Sequence, residues 1–213
     1  MMPLSAWYRP AIGGALALAL MIAATGTSTR AAATGDGEAR AVVEGFHTTL
    51  LQAMKTAKTL GVKGRFALLA PEVARRFNLR KMIAIATGPS WPKASADERD
   101  RLTDAFGRFS AANYAASFES FSGQSFGTDS VAPGPSGTRL VTTRIDRPGD
   151  TPVRLVYVTQ PSGGRWQIVD VLVDDGISQL AMRRSEYRSV LGNRGIEGLV
   201  TELDRMTDRL LAR

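Results

Sequence analysis

Residues 151–174 read TPVRLVYVTQPSGGRWQIVDVLVD, two runs of Val, Leu, Ile, Tyr and Trp set on either side of Pro161-Ser-Gly-Gly164. β-branched and aromatic residues favour a pleated, half-buried surface, and a connector this short and glycine-rich joins antiparallel neighbours. The pattern predicts strands over Thr151–Gln160 and Arg165–Asp174. In the first, Val153, Leu155 and Tyr157 share one face, while Val156 and Val158 make the other partly apolar. In the second, Trp166, Ile168 and Leu172 oppose Val169, Val171 and Val173, so this strand is expected to be covered on both sides. Upstream, Ser125–Val131 and Thr138–Arg147 show the same composition, with Pro133-Gly-Pro-Ser-Gly137 and Pro148-Gly-Asp150 as connectors. Together these segments predict a four-stranded antiparallel meander.

Helical spacing dominates on both sides of the sheet. Residues 38–59 repeat Val42, Val43, Phe46, Leu50, Leu51 and Met54 three or four apart. Lys63–Phe77 continues the pattern with Phe66, Leu69 and Val73, and Pro71 predicts a kink or two short helices there. Arg80–Ala86 reads as a short helix stopped by Gly88-Pro-Ser-Trp91-Pro. Ser95-Ala-Asp-Glu98 is a capping box opening a long helix that is expected to run to Gly123. That helix carries Phe106, Phe109, Tyr114, Phe118 and Phe121 over about half of its circumference, with Ser110, Asn113 and Ser117 between the rings. Ser178–Leu191 and Ile196–Leu211 close the chain as helices, and the fold class is α+β.

The chain begins with a single positive charge at Arg9, an apolar run from Ala11 to Ala24 and small residues up to Ala31-Ala32-Ala33, the pattern of a secretory signal peptide over 1–33. Residues 34–213 are then one domain. Cysteine is absent, so neither a lipid-anchored cysteine nor a disulfide contributes, and the core alone must hold the fold. The formal charge is +7, and Arg9 and Arg30 of the leader supply two of those positive charges. The remaining bases are scattered, with no basic run or stacking platform for nucleic acid. Anionic head groups or an acidic partner surface suit the charge better, and transient contact with a membrane surface is consistent with it.

Catalytic signatures are missing. There is one histidine, and no nucleophile elbow, P-loop or dinucleotide fingerprint. His47 beside Phe46 reads as an ordinary, partly exposed residue. Asp170, Asp174 and Asp175 lack the further acidic ligands of a calcium loop. Asp174 and Asp175 are expected to shape a turn, and Asp170 to accept hydrogen bonds from backbone or from Arg183 or Arg184. No catalytic residue, metal ligand or cofactor is assigned.

Phe77-Asn-Leu-Arg-Lys-Met-Ile, Gly88-Pro-Ser-Trp91, Phe106-x-x-Phe109 and Tyr114-Ala-x-x-Phe118-x-x-Phe121-Ser-Gly123 resemble the MlaC family of periplasmic lipid-binding proteins. Trp166-Gln-Ile-Val-Asp170 with Gly176-Ile-Ser178, followed by Arg184-x-x-Tyr187, is similar to it too. Finer details look closest to the hopanoid-associated HpnM branch. Asn78 stands where the family commonly has aspartate, which weakens any charge-dependent role there. The resemblance implies a twisted antiparallel sheet wrapped by helices around an apolar cavity. It implies a soluble periplasmic carrier that shuttles phospholipid or hopanoid between inner and outer membranes. The partners it implies are an inner-membrane transporter subunit and an outer-membrane lipoprotein complex.

One physical requirement joins that expectation to the residues. A lipid with two sixteen-carbon tails hides about 30 methylenes, so exposing them to water costs on the order of 20 kcal/mol or more. A carrier must enclose the tails with apolar surface that its own packing leaves unused. The candidate walls are Phe46, Leu50, Phe66, Phe77 and Ile83 from the early helices, Phe106, Phe109, Tyr114 and Phe118 from the aromatic helix, and Tyr157, Ile168 and Val171 from the sheet. Ala115 and Ser117 are candidate notches along a tail channel, and Arg80, Lys81 and Arg184 candidate contacts to a head group. Two other readings stay open: an envelope interaction module with a filled core, and a periplasmic hydrolase or isomerase.

Overall fold

Five antiparallel strands lie in the order in which they occur along the chain: β1 (Ser125–Pro133), β2 (Arg139–Asp146), β3 (Val153–Ser162), β4 (Arg165–Val173) and the two-residue β5 (Ile177–Ser178). The structure is a computed structural model that describes residues 26–212 apart from Asp174 and Asp175, with side chains from Thr34 onward. The apolar run of the expected leader and the expected Asp174-Asp175 turn lie outside the described residues. The predicted meander is therefore present with one more strand than expected. β5 pairs Leu172 with Ser178 and Val173 with Ile177, and two residues are too few to leave an alternating pattern in the sequence.

Two-faced alternation along β4 fails at one point. Val158 pairs with Asp170, yet the next residue of β3, Thr159, pairs with Ile168, which leaves Val169 as an extra residue in a bulge. A bulge reverses the facing of everything beyond it. Ile168 and Val171, three positions apart, thus lie on the helix-covered face with Leu155, Tyr157 and Val141, and the predicted division of β4 into two sets does not hold.

The helices pack against that face. α1 (Gly26–Lys55) crosses the expected cleavage point after Ala33 and buries Ala39, Val43, Phe46, Leu50 and Ala53 along one stripe. α2 (Ala57–Arg76) breaks at Gly61, whose φ of 60° and ψ of −176° suit only a residue without Cβ. Pro71, expected to interrupt the chain, sits on an exposed face inside α2 without any departure from helical backbone. α3 (Leu79–Thr87) starts at Asn78, whose Oδ1 accepts from the Lys81 N–H at 3.1 Å. The Asn78 amide also donates to Ser162 Oγ at 3.1 Å, tying α3 to the β3–β4 turn without a charge.

A 3₁₀ turn at Gly88–Ser90 leads to α4 (Ala96–Ser117), which opens with the predicted capping box: Ser95 Oγ accepts from the Glu98 N–H, and the Glu98 carboxylate accepts from the Ser95 N–H at 2.7 Å. α4 ends at Ser117, short of Gly123, so Phe118 is its C-cap and Phe121 lies beyond it, 41% exposed beneath Lys55. Serines at 117, 120 and 122 are weak helix formers that prefer caps and turns, which accounts for the early stop. α5 (Gln179–Leu211) spans both predicted closing helices, divided at Gly195 with φ 61° and ψ −160°.

Buried Arg65 fastens the helical layer. Its Nε donates to the Ala115 carbonyl at 2.8 Å and its guanidinium to the Ala57 carbonyl at 3.2 Å, so α2 holds the C-terminal turn of α4 and the α1–α2 junction together. A guanidinium serves here because it offers several donors in a fixed fork to carbonyls on two separate elements.

Candidate functional site

Rings from α1, α4, the C-cap of α2 and the sheet form a continuous row. Phe46 of α1 meets Phe77 and Tyr114 edge-on, each with centroids 4.9 Å apart. Tyr114 contacts Phe118 at 6.2 Å, Phe118 contacts Phe126 of β1 at 6.3 Å, and Phe126 stacks on His47 at 4.3 Å. Such tilted and edge-on pairs suit the ring quadrupoles, but flat rings meeting at angles do not fill space as aliphatic chains do.

Beside this row lies a pocket of about 220 Å³ between α4, the first part of α5 and the inner face of the sheet. Its floor is made of buried Phe77, Met82, Phe106, Phe109, Leu155, Tyr157, Val171 and Leu180. Half-buried Ser110, Asn113, Tyr114, Phe118, Ile145, Val173, Gln179 and Arg183 form its rim. The lining is mainly apolar. Its volume lies below the roughly 300–1,000 Å³ of ordinary small-molecule sites, so two long acyl tails enter only if the walls move apart.

The polar groups of the site are few. His47, expected to be partly exposed, is 3% exposed, and its Nε2 lies 3.0 Å from the hydroxyl of Tyr157 on the pocket floor. Burial lowers the His47 pKa from 6.5 to about 4, so the imidazole is neutral at pH 7 and its hydrogen bond satisfies an otherwise buried phenol. Burial likewise raises the pKa of Tyr157 and Tyr114, keeping both uncharged. At the rim, the Arg183 guanidinium lies 4.8 Å above the Phe109 ring and donates to Glu186 at 2.8 Å. A ring in which electron density is concentrated on the faces favours a cation there.

Asp170 positions the α5 wall. Its carboxylate accepts from the Val171 N–H at 2.8 Å, the Ser178 hydroxyl at 2.5 Å and the Leu180 N–H at 3.2 Å. The expected backbone bonds are present, and the expected arginine is absent among the described residues. Ser178 in turn caps α5 by accepting from the Ala181 N–H at 3.0 Å. Gln179, Leu180 and Arg183 are thereby fixed over the end of β4.

A family model described as MlaC protein matches residues 44–205. The chain belongs to the MlaC family. Among solved structures, its fold matches the phospholipid-binding protein from Ralstonia solanacearum determined in complex with a phospholipid. The TM-score is 0.70 and the identity 21%, with 83% of this chain and 99% of that chain covered. At that identity the likeness concerns the fold.

In this MlaC-family chain, Phe77, Phe106, Phe109, Tyr114, Phe118, Tyr157 and Val171 of the expected walls meet at the pocket. Phe46, Leu50, Ile83 and Ile168 are fully buried in the core behind it, and half-buried Phe66 packs on the core away from the lining. The expected notches do not border it either: Ala115 is buried with its carbonyl on Arg65, and Ser117 is exposed. The notches that do face the space are Ser110 and Asn113.

Nor do the expected head-group contacts reach the pocket. Arg80 pairs with Asp100 and lies over Trp91, whereas Lys81 and Arg184 line a separate shallow trough of about 400 Å³ with Asp170 and Val169. Arg183 is the cation at the pocket. From sequence it stands out only as a partner for Asp170, because nothing in a dispersed set of arginines marks the one that the fold turns inward.

Proposed function

We propose that this MlaC-family chain is a non-catalytic periplasmic lipid carrier that encloses the tails of a phospholipid or hopanoid and shuttles them between inner and outer membranes. The observation that carries the reading is the apolar pocket between α4, α5 and the sheet, where rings leave space that side chains do not occupy. The folded relative from Ralstonia solanacearum with its bound phospholipid supports the choice of ligand class. A leader over 1–33 and a single domain over 34–213 agree with export to the periplasm. Docking to an inner-membrane transporter subunit and an outer-membrane lipoprotein complex completes the cycle. Contact with each partner is the step at which the walls part, because tails held by on the order of 20 kcal/mol of burial need a second apolar enclosure before they leave the first.

Native mass spectrometry of the chain purified from a lipid-containing host, followed by organic extraction, tests the reading. Co-purifying lipid of stoichiometric amount is expected. Lipid-free protein that also fails to load from vesicles would overturn the carrier and leave the filled interaction module. In a hydrolase the extract would instead contain cleaved product.

A further inference from the structure

An apolar tail pocket has no use for free hydrogen-bonding groups, yet this rim carries three of them and a cation. The hydroxyls of Ser110 and Tyr114 and the amide of Asn113 make no side-chain hydrogen bond among the described residues, and Arg183 makes only its bond to Glu186. All four line the same pocket. Arg183 lies over Phe109, and Asn113 is one helical turn further along α4 on the same face. The Arg183 charge also counteracts the burial effect on the Tyr114 phenol, which places the two within electrostatic reach. Unpartnered donors on the same rim as a half-buried cation are what a phosphate oxyanion requires: a planar fork for two oxygens and neutral donors for the others.

We propose that Arg183, Asn113, Ser110 and the Tyr114 hydroxyl form a subsite for the phosphate ester of the bound ligand at the pocket rim. This rests on the carrier reading and narrows it to ligands with an anionic phosphate beside their tails. Glu186 is the competitor for Arg183, but its side chain is 48% exposed and the pair is a weak surface one that water can replace. Phosphate binding at the rim orders the ligand with its head outward and its tails along the aromatic floor.

The test loads the chain from phosphatidylcholine vesicles doped with either dioleoyl phosphatidic acid or dioleoylglycerol, which have the same tails, and counts bound lipid by native mass spectrometry. Phosphatidic acid is expected to load about tenfold better, the discrimination of one charge-assisted contact. In Arg183→Gln the ratio of the two falls towards one, in Arg183→Lys it is intermediate because charge remains without the fork, and in Asn113→Leu it falls with no change of charge. Excess inorganic phosphate separates the two sources of the anion. Loading that phosphate does not suppress marks the lipid head as the ligand, whereas Arg183-dependent suppression marks a free-phosphate site at the same residues.

Equal loading of both lipids by the wild type, or a preference that survives Arg183→Gln, overturns the subsite and leaves the carrier standing. Failure of both lipids to load overturns the carrier and the subsite with it.

Discussion

Acidification should weaken this protein well before its carboxylates titrate, and His47 is the reason. The folded pKa of His47 is about 4 against 6.5 unperturbed, because burial beside Phe126 and Tyr157 disfavours the imidazolium. Between those values the unfolded chain binds a proton that the folded chain does not, so stability rises with pH through this window and is lost as pH falls. With these two pKa values the loss between pH 7.5 and pH 5 is about 2 kcal/mol, approaching a limit of about 3 kcal/mol below pH 4. For a domain of this size that lowers Tm by about 4–8 °C. The comparison is His47→Gln, which keeps a polar group near the Tyr157 hydroxyl but does not titrate. Urea unfolding at pH 7.5 and pH 5 should show the wild type losing about 2 kcal/mol more than the variant. Equal losses in the two proteins would refute the reasoning, since another group would then govern the pH dependence.

Three further outcomes follow from single features. The hydroxyl of Tyr187 is buried without a hydrogen-bond partner among the described residues, so Tyr187→Phe should leave thermal stability equal or raise it by about 1 kcal/mol, checked by calorimetry; a clear loss would mean that the hydroxyl is satisfied. Gly195 has φ 61° and ψ −160°, and a Cβ added there would meet no atom within 4 Å, so Gly195→Ala should cost about 1–3 kcal/mol through backbone strain alone, read from denaturant midpoints. Ser110→Trp should fill the pocket and lower lipid loading from vesicles severalfold while the melting temperature stays close to wild type.

The sheet is legible in the sequence because strands of this composition announce themselves by their turns: Pro148–Asp150 falls between β2 and β3, and Pro133–Gly137 and Pro161–Gly164 begin on the last residues of β1 and β3 and carry the chain into the next strand. The α4 start is legible because a capping box is local chemistry. What escapes is non-local. The bulge at Val169 depends on pairing with β3, and it alone decides that Ile168 and Val171 share a face. His47 looks partly exposed in sequence because its decisive neighbour, Tyr157, is 110 positions away. The aromatic row is visible in the sequence as a feature of one helix. In the fold it is shared between α1, α4 and β1, while Phe121 drops out of it. The head-group candidates miss the pocket for the same reason: spacing along α5 distinguishes Arg183 from Arg184 by one position, and only the placement of α5 on β4 decides which of them faces the rings.

The break at Gly195 gives α5 two mechanically separate rods. Gln179, Leu180 and Arg183 ride on the first, which Asp170 tethers at its far end, while Leu199 and Leu203 root the second in the core. Rotation about one glycine's backbone tilts the first rod while the ladder of either rod stays closed. Room for a guest can thus come from swinging a panel instead of melting it, against the core packing of Leu180 and Tyr187 and the carboxylate latch of Asp170.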